Sequence, residues 1–190
     1  MPEALFFLLI VLLVFSLIPL VWVIAIYNLL IRLRQHCRES WSAIDTELRR
    51  RYDLIPNLVE TVRGYASHER QTLEAVTEAR TRALASVGSP KSQAHDENAF
   101  ISTLKTLFAV SENYPQLKAS QHFLALQTEL ANTEDRIQAA RRFYNANVRD
   151  LNTRIQVFPS NLIASAFNFT PAEYFEIDSA AVRIPPRVDI

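Results

Sequence analysis

Between Ala4 and Ile31 the chain carries no charged side chain. At 1.5 Å rise per residue, about 28 residues make a helix of roughly 42 Å, longer than the ~30 Å hydrocarbon core of a bilayer. This segment, residues 1–31 in domain terms, is expected to span a membrane. A cleaved signal peptide has a basic start and a shorter apolar core. Met1-Pro2-Glu3 offers neither Lys nor Arg, and the apolar run is too long, so the segment reads as an uncleaved anchor. Pro19 predicts a kink within the span, and Trp22 and Tyr27 lie toward its far end, as interfacial anchors do. Arg32, Arg34 and Arg38 follow, then Arg49-Arg50-Arg51, against no basic residue on the amino-terminal side. By the positive-inside rule the amino terminus faces outward and the remaining domain is cytoplasmic. Cys37, beside this basic stretch, reads as a plain thiol, with palmitoylation as the alternative.

The rest of the chain is written in helical periodicity. Apolar residues recur at Trp41, Ile44, Leu48, Tyr52, Ile55, Val59, Val62, Ala66, Leu73, Val76, Ala79 and Ala83. Steps of three and four predict one long amphipathic helix from Trp41 to about Ser86. Glu47 with Arg51 and Glu78 with Arg82 support its polar back. Pro56 removes the amide that would reach the Tyr52 carbonyl, so a kink is expected near Leu54. Gly88 suits a C-cap and Pro90 blocks continuation, leaving a polar loop over residues 88–97. A second helix is expected over residues 97–112, ended by Pro115. A third, with coiled-coil-like spacing, is expected over residues 120–157. Its stripe is interrupted by one polar turn at Thr133 and Glu134. Ser160 is placed to cap a short helix through Phe167. Thr170-Pro171-Ala172-Glu173 has the pattern of a further helix start, with Tyr174 and Phe175 docking their rings. The tail from Ala180 reads as extended. The expected fold is therefore all-α: an anchor, then an elongated antiparallel bundle of three long helices and one or two short ones over residues 32–179, then a tail over 180–190.

Composition narrows the function. Formal net charge is zero with acids and bases interspersed, so no basic surface is offered to nucleic acid. Only Gly64 and Gly88 are present, which leaves little material for phosphate-cradling loops. None of the four histidines has an acid three residues before it, as the di-iron motif of helical bundles requires. His68-Glu69 opens like a zinc-protease motif, but Thr72 stands where the second His belongs. No catalytic residue, metal ligand or cofactor site is assigned, and the chain is not expected to be an enzyme. What remains is the density of Arg, Asp, Asn and Tyr at two places. Arg50, Tyr52, Asp53 and Asn57 form one; Arg142, Tyr144, Asn145 and Asp150 form the other. These eight are read as a buried polar network fixing helix register, or else as a surface for a partner.

The same stretches carry a family likeness. Arg49 to Val62, Tyr65 to Glu69, Glu74 to Arg80, Arg141 to Asn145 and Phe158 to Ala164 resemble the LemA family of bacterial membrane proteins. The resemblance implies a single-span protein of the bacterial inner membrane with a cytoplasmic helical bundle. It implies no reaction, and the association of some members with magnetosome membranes suggests work on membrane organisation. The expectation is a membrane-anchored scaffold or adaptor whose partners are the lipid bilayer, further copies of itself and another membrane protein. The alternative is an accessory or regulatory subunit of a membrane enzyme such as a protease or transporter.

Overall fold

Residues 2–177 are described by the structure, a computed structural model. Six helices follow one another: α1 Pro2–Tyr65, α2 Arg70–Ala85, α3 Pro90–Ser111, α4 Pro115–Lys118, α5 Gln121–Gln156 and α6 Ser160–Ala166. No strand occurs among the described residues. The expected tail after Ala180 lies outside them. The chain divides into two compact units. One comprises the residues up to Glu39 with Ala146–Ala172, the other Ser40–Asn145 with the residues from Glu173 on.

In the first unit the apolar stretch of α1 is exposed, with Phe7 at 70% and Phe15 at 80% of full accessibility. This stretch is compatible with a membrane anchor. Farther along, Leu30 is fully buried and Cys37 nearly so. Burial pushes the Cys37 thiol up, and the nearby Asp150 carboxylate adds to the effect. The Tyr27 ring lies 4.9 Å from that of Phe167 and 5.9 Å from that of Phe169. Phe169 reaches this place because Asn168 takes a left-handed φ of 55° just beyond α6. The Phe169 amide then donates to the Ala164 carbonyl at 2.8 Å, a Schellman-type closure. Ser160 does not cap α6, since its hydroxyl donates back to the carbonyls of Arg154 and Val157.

The second unit holds the core of the helical domain. The helix expected to run from Trp41 to Ser86 is broken at residues 66–69. Its apolar stripe lapses between Ala66 and Leu73, where six polar residues follow one another, so nothing apolar holds the helix to a neighbour there. α1 and α2 become separate arms. α2 ends with Ser86 as its C-cap, and Gly88 has no left-handed φ. The polar segment expected to be a loop is helical from Pro90. Pro90 suits the first helical position, and Ser89 accepts from the Ser92 amide at 3.5 Å. Pro115 opens the single turn of α4, with three residues between it and the end of α3.

Pro56 leaves α1 unbroken. The Tyr52 carbonyl that it deprives of a helical donor accepts instead from Arg80 Nε on α2, at 2.6 Å. A side chain on the neighbouring arm thus replaces the missing backbone hydrogen bond. Losing that donor is predicted to cost about 1–3 kcal/mol. Arg80→Met should lower the unfolding free energy of the full chain in detergent by that amount, read from denaturation followed by circular dichroism. In a Pro56→Ala background the restored backbone amide should reduce the cost to below roughly 1 kcal/mol. Equal costs in both backgrounds would separate the two residues.

Candidate functional site

The helical stripe places Arg51 among apolar neighbours, one step of three from Leu48 and four from Ile55. Only 2% of it is exposed. A guanidinium in that position must be paired, because an isolated buried charge is far too costly. Arg51 Nη2 pairs with Glu97 of α3, and Arg51 Nη1 pairs with Glu134 of α5 at 2.8 Å. The Tyr52 hydroxyl donates to the other oxygen of Glu97. Gln138 Nε2 donates to Glu134 at 2.8 Å, and the Arg51 guanidinium lies 5.4 Å from the centre of the Phe100 ring. One cation therefore joins three helices through two carboxylates. Beside the cluster, Arg51 Nε and Thr133 Oγ1 are buried without a hydrogen-bond partner among the described residues.

Burial pushes the Tyr52 phenol up to about 12, with the Arg51 charge opposing that effect. The native state thus prefers the neutral phenol. Its contribution to stability is complete below pH ~10 and is lost as the pH rises toward about 12.

The second polar stretch has a different task. Within the second unit, Asn145 Nδ2 donates to the Phe175 carbonyl and its Oδ1 accepts from the Phe175 amide, both at 3.0 Å. Tyr144 donates to the Glu173 carbonyl at 2.8 Å, and Arg141 donates to that of Ile177. Phe175 is fully buried, 5.2 Å from the Trp41 ring. Within the first unit, Asn152 holds the amide and carbonyl of Ala172 in the same two-pronged way, at 2.8 and 2.9 Å. These side chains take up the backbone groups that a helix starting at Thr170 would need. Residues 170–177 are accordingly not helical. Glu173 instead accepts from the Lys91 amide in the first turn of α3, and its hydrogen bonds to Ser89 and Lys91 hold its carboxyl below the usual range.

Of the eight residues singled out from the sequence, Tyr52, Tyr144 and Asn145 make these contacts. Arg50 lies beside Glu47 at 3.6 Å on the surface, and Asp53, Asn57, Arg142 and Asp150 are exposed. The two stretches serve two different networks. Sequence reasoning passed over Glu97 and Glu134 as partners. Glu134 was signalled by the polar turn in the stripe of α5, and Glu97 by its place between Ala94 and Phe100 on the buried face of α3.

Elsewhere in this unit an open groove of about 350 Å³ is lined by Ile55, Pro56, Val59, Glu60, Arg63, Thr77 and Arg80. Among the described residues no group of three or more His, Cys, Asp or Glu side chains is placed to hold a metal ion.

Two expectations follow for the cluster. Arg51→Met strands two buried carboxylates and should cost about 3–5 kcal/mol in chemical unfolding. Replacing Glu97 and Glu134 by Leu and Met as well should recover most of that loss, because an apolar trio of similar volume is often neutral. Tyr52→Phe removes a donor to a charged group, costing about 1–3 kcal/mol at neutral pH. It should also flatten the decline in stability between pH ~10 and about 12, read from unfolding midpoints across that range.

Comparison with known proteins extends the likeness along the chain. A family model described as the LemA family matches residues 40–190. Protein LemA of Metamycoplasma hominis is 27% identical over 165 residues, covering 82% of this chain and 75% of the relative. Magnetosome protein MamQ 2 of Paramagnetospirillum magneticum is 25% identical over 175 residues, covering 79% of this chain and 64% of the relative. Magnetosome protein MamQ of Magnetospirillum gryphiswaldense is 23% identical over 174 residues, covering 78% and 64%. The chain therefore spans a little under two thirds of the MamQ relatives. Because the family match takes in both the Arg51 cluster and the Asn145 clamp, and most of the chain with them, this protein belongs to the LemA family.

Proposed function

We propose that this protein is a single-span scaffold or adaptor at the cytoplasmic face of a bacterial inner membrane. It works through surfaces, without a catalytic centre or cofactor of its own, and it self-associates. The observation that carries the reading is the exposed apolar stretch of α1, where every large side chain from Leu12 to Leu20 is accessible. Apolar area of that extent needs a cover. A bilayer supplies one over the length that a span requires.

Orientation follows from charge. Arg32, Arg34 and Arg38 flank the carboxy-terminal end of the apolar run, which favours a cytoplasmic helical domain. Kinship with proteins named for the magnetosome supports a part in membrane organisation. The charged ends of the Arg51 cluster pair chiefly with one another, which holds helices in register and leaves recognition to the surface.

The test begins with alkaline carbonate washing of membranes that contain the full-length chain. Retention in the pellet is expected, and release into the supernatant would overturn the span. The native mass of the retained protein, extracted in mild detergent, should then be that of a uniform homo-oligomer. A monomer would remove self-association. A stable complex with a different membrane protein would favour the accessory-subunit reading instead.

A further inference from the structure

We propose that residues 157–169, the α5–α6 connection, α6 and the turn after it, are seated in the bilayer interface beside the carboxy-terminal end of the anchor. This rests on the reading of α1 as a membrane span, and goes beyond it by giving the folded domain a lipid-binding element of its own.

Composition is the first observation. From Ile155 to Ala172 there is no charged residue, where the chain average of 21% would place about four. Exposure is the second. Phe158 is 78% exposed, Leu162 58%, Phe167 52% and Val157 40%. Ser160, Ile163 and Ala164 are buried, so α6 turns one face toward the protein and leaves Leu162 outward.

The third observation is what this segment touches. Phe167 and Phe169 pack on Tyr27, which lies within the apolar run, about 6 Å along the helix axis from Ile31. A run of roughly 42 Å matches the 40–45 Å of a bilayer counted with its headgroup regions, so Tyr27 falls in the interface. Phe167 and Phe169 must lie at a similar depth. Arg34 closes the site on the water side, its guanidinium 5.1 Å from the centre of the Phe169 ring. The outward apolar side chains thus continue a surface that lipid already covers on α1. Shallow burial of a short apolar face, with the cation held at headgroup level, is the manner in which interfacial helices bind.

The experiment uses the full-length chain in vesicles of phosphatidylcholine and phosphatidylglycerol. A polarity-sensitive fluorophore is attached to a single thiol in a Cys37→Ala background. If that change lowers helix content, the native chain is used and its own label uptake subtracted. Labels are placed by Leu162→Cys, by Leu13→Cys in the anchor and by Glu39→Cys on the polar part of α1. Lipids brominated near the glycerol end of their acyl chains should quench the label at 162 about twofold, and leave that at 39 unchanged. Lipids brominated near the chain ends should quench the label at 13 more strongly than the label at 162. An unquenched label at 162 beside a quenched one at 13 overturns the proposal and leaves the span intact. Blue-shifted but unquenched emission at 162 would mean that protein, such as a second copy, covers the face, and also overturns it. No quenching at 13 would remove the span itself and this proposal with it.

Discussion

A single buried guanidinium sets the register of the helical domain. Arg51 on α1 meets Glu97 on α3 and Glu134 on α5, so sliding any of the three helices by one turn would move a charge about 5.4 Å from its partner into apolar surroundings. The benefit lies more in uniqueness than in depth of stability, because desolvating three charges offsets much of their attraction. Apolar stripes alone permit neighbouring registers, each with leucines facing leucines. A charge in the stripe excludes the wrong ones, and the Phe100 ring, against both Arg51 and Tyr52, fills the space around it.

The same economy recurs wherever the regular hydrogen-bond pattern lapses. Pro56 frees a carbonyl and Arg80 takes it up. Among the described residues the extended segment after α6 meets no strand, and Asn145 and Asn152 present amide groups that imitate one. Glu173 fills an amide in the first turn of α3, a turn that every helix leaves without intrahelical acceptors. With two glycines in the chain, tight turns are scarce, and side-chain amides and guanidinia do the closing that hairpins do elsewhere.

This explains what could be read from the sequence and what could not. The all-α class and the extent of α5 follow from local periodicity, and the exposed apolar stretch of α1 from an uncharged run; neither needs knowledge of neighbours. The break after Tyr65 was also written locally, in the lapse of the stripe between Ala66 and Leu73, but nothing in that lapse resembles a stop signal such as Pro or Gly. The segment after Thr170 misled for a different reason. Its cap, proline and glutamate favour a helix start in isolation, whereas the competing partners, Asn145 and Asn152, lie 20 to 30 residues away. Glu97 and Glu134 were hidden likewise, since a carboxylate on a stripe is read as an interruption until its arginine is found across the bundle.

On the reading proposed above, function is carried by what the internal contacts leave over. The buried polar groups are largely consumed by one another, and the exposed charges Arg50, Asp53, Arg142 and Asp150 sit on solvated helix faces where neighbouring water competes with any partner. Much of the exposed apolar area lies on the early part of α1 and on residues 157–167. Both belong to one unit, and the Tyr27–Phe167 contact joins them. An apolar surface has no directional chemistry to offer a small substrate, but its free energy scales with area. On the reading proposed above, with Tyr27 between the two parts at the end of an uncharged run, the solvent that satisfies both together is the edge of a bilayer.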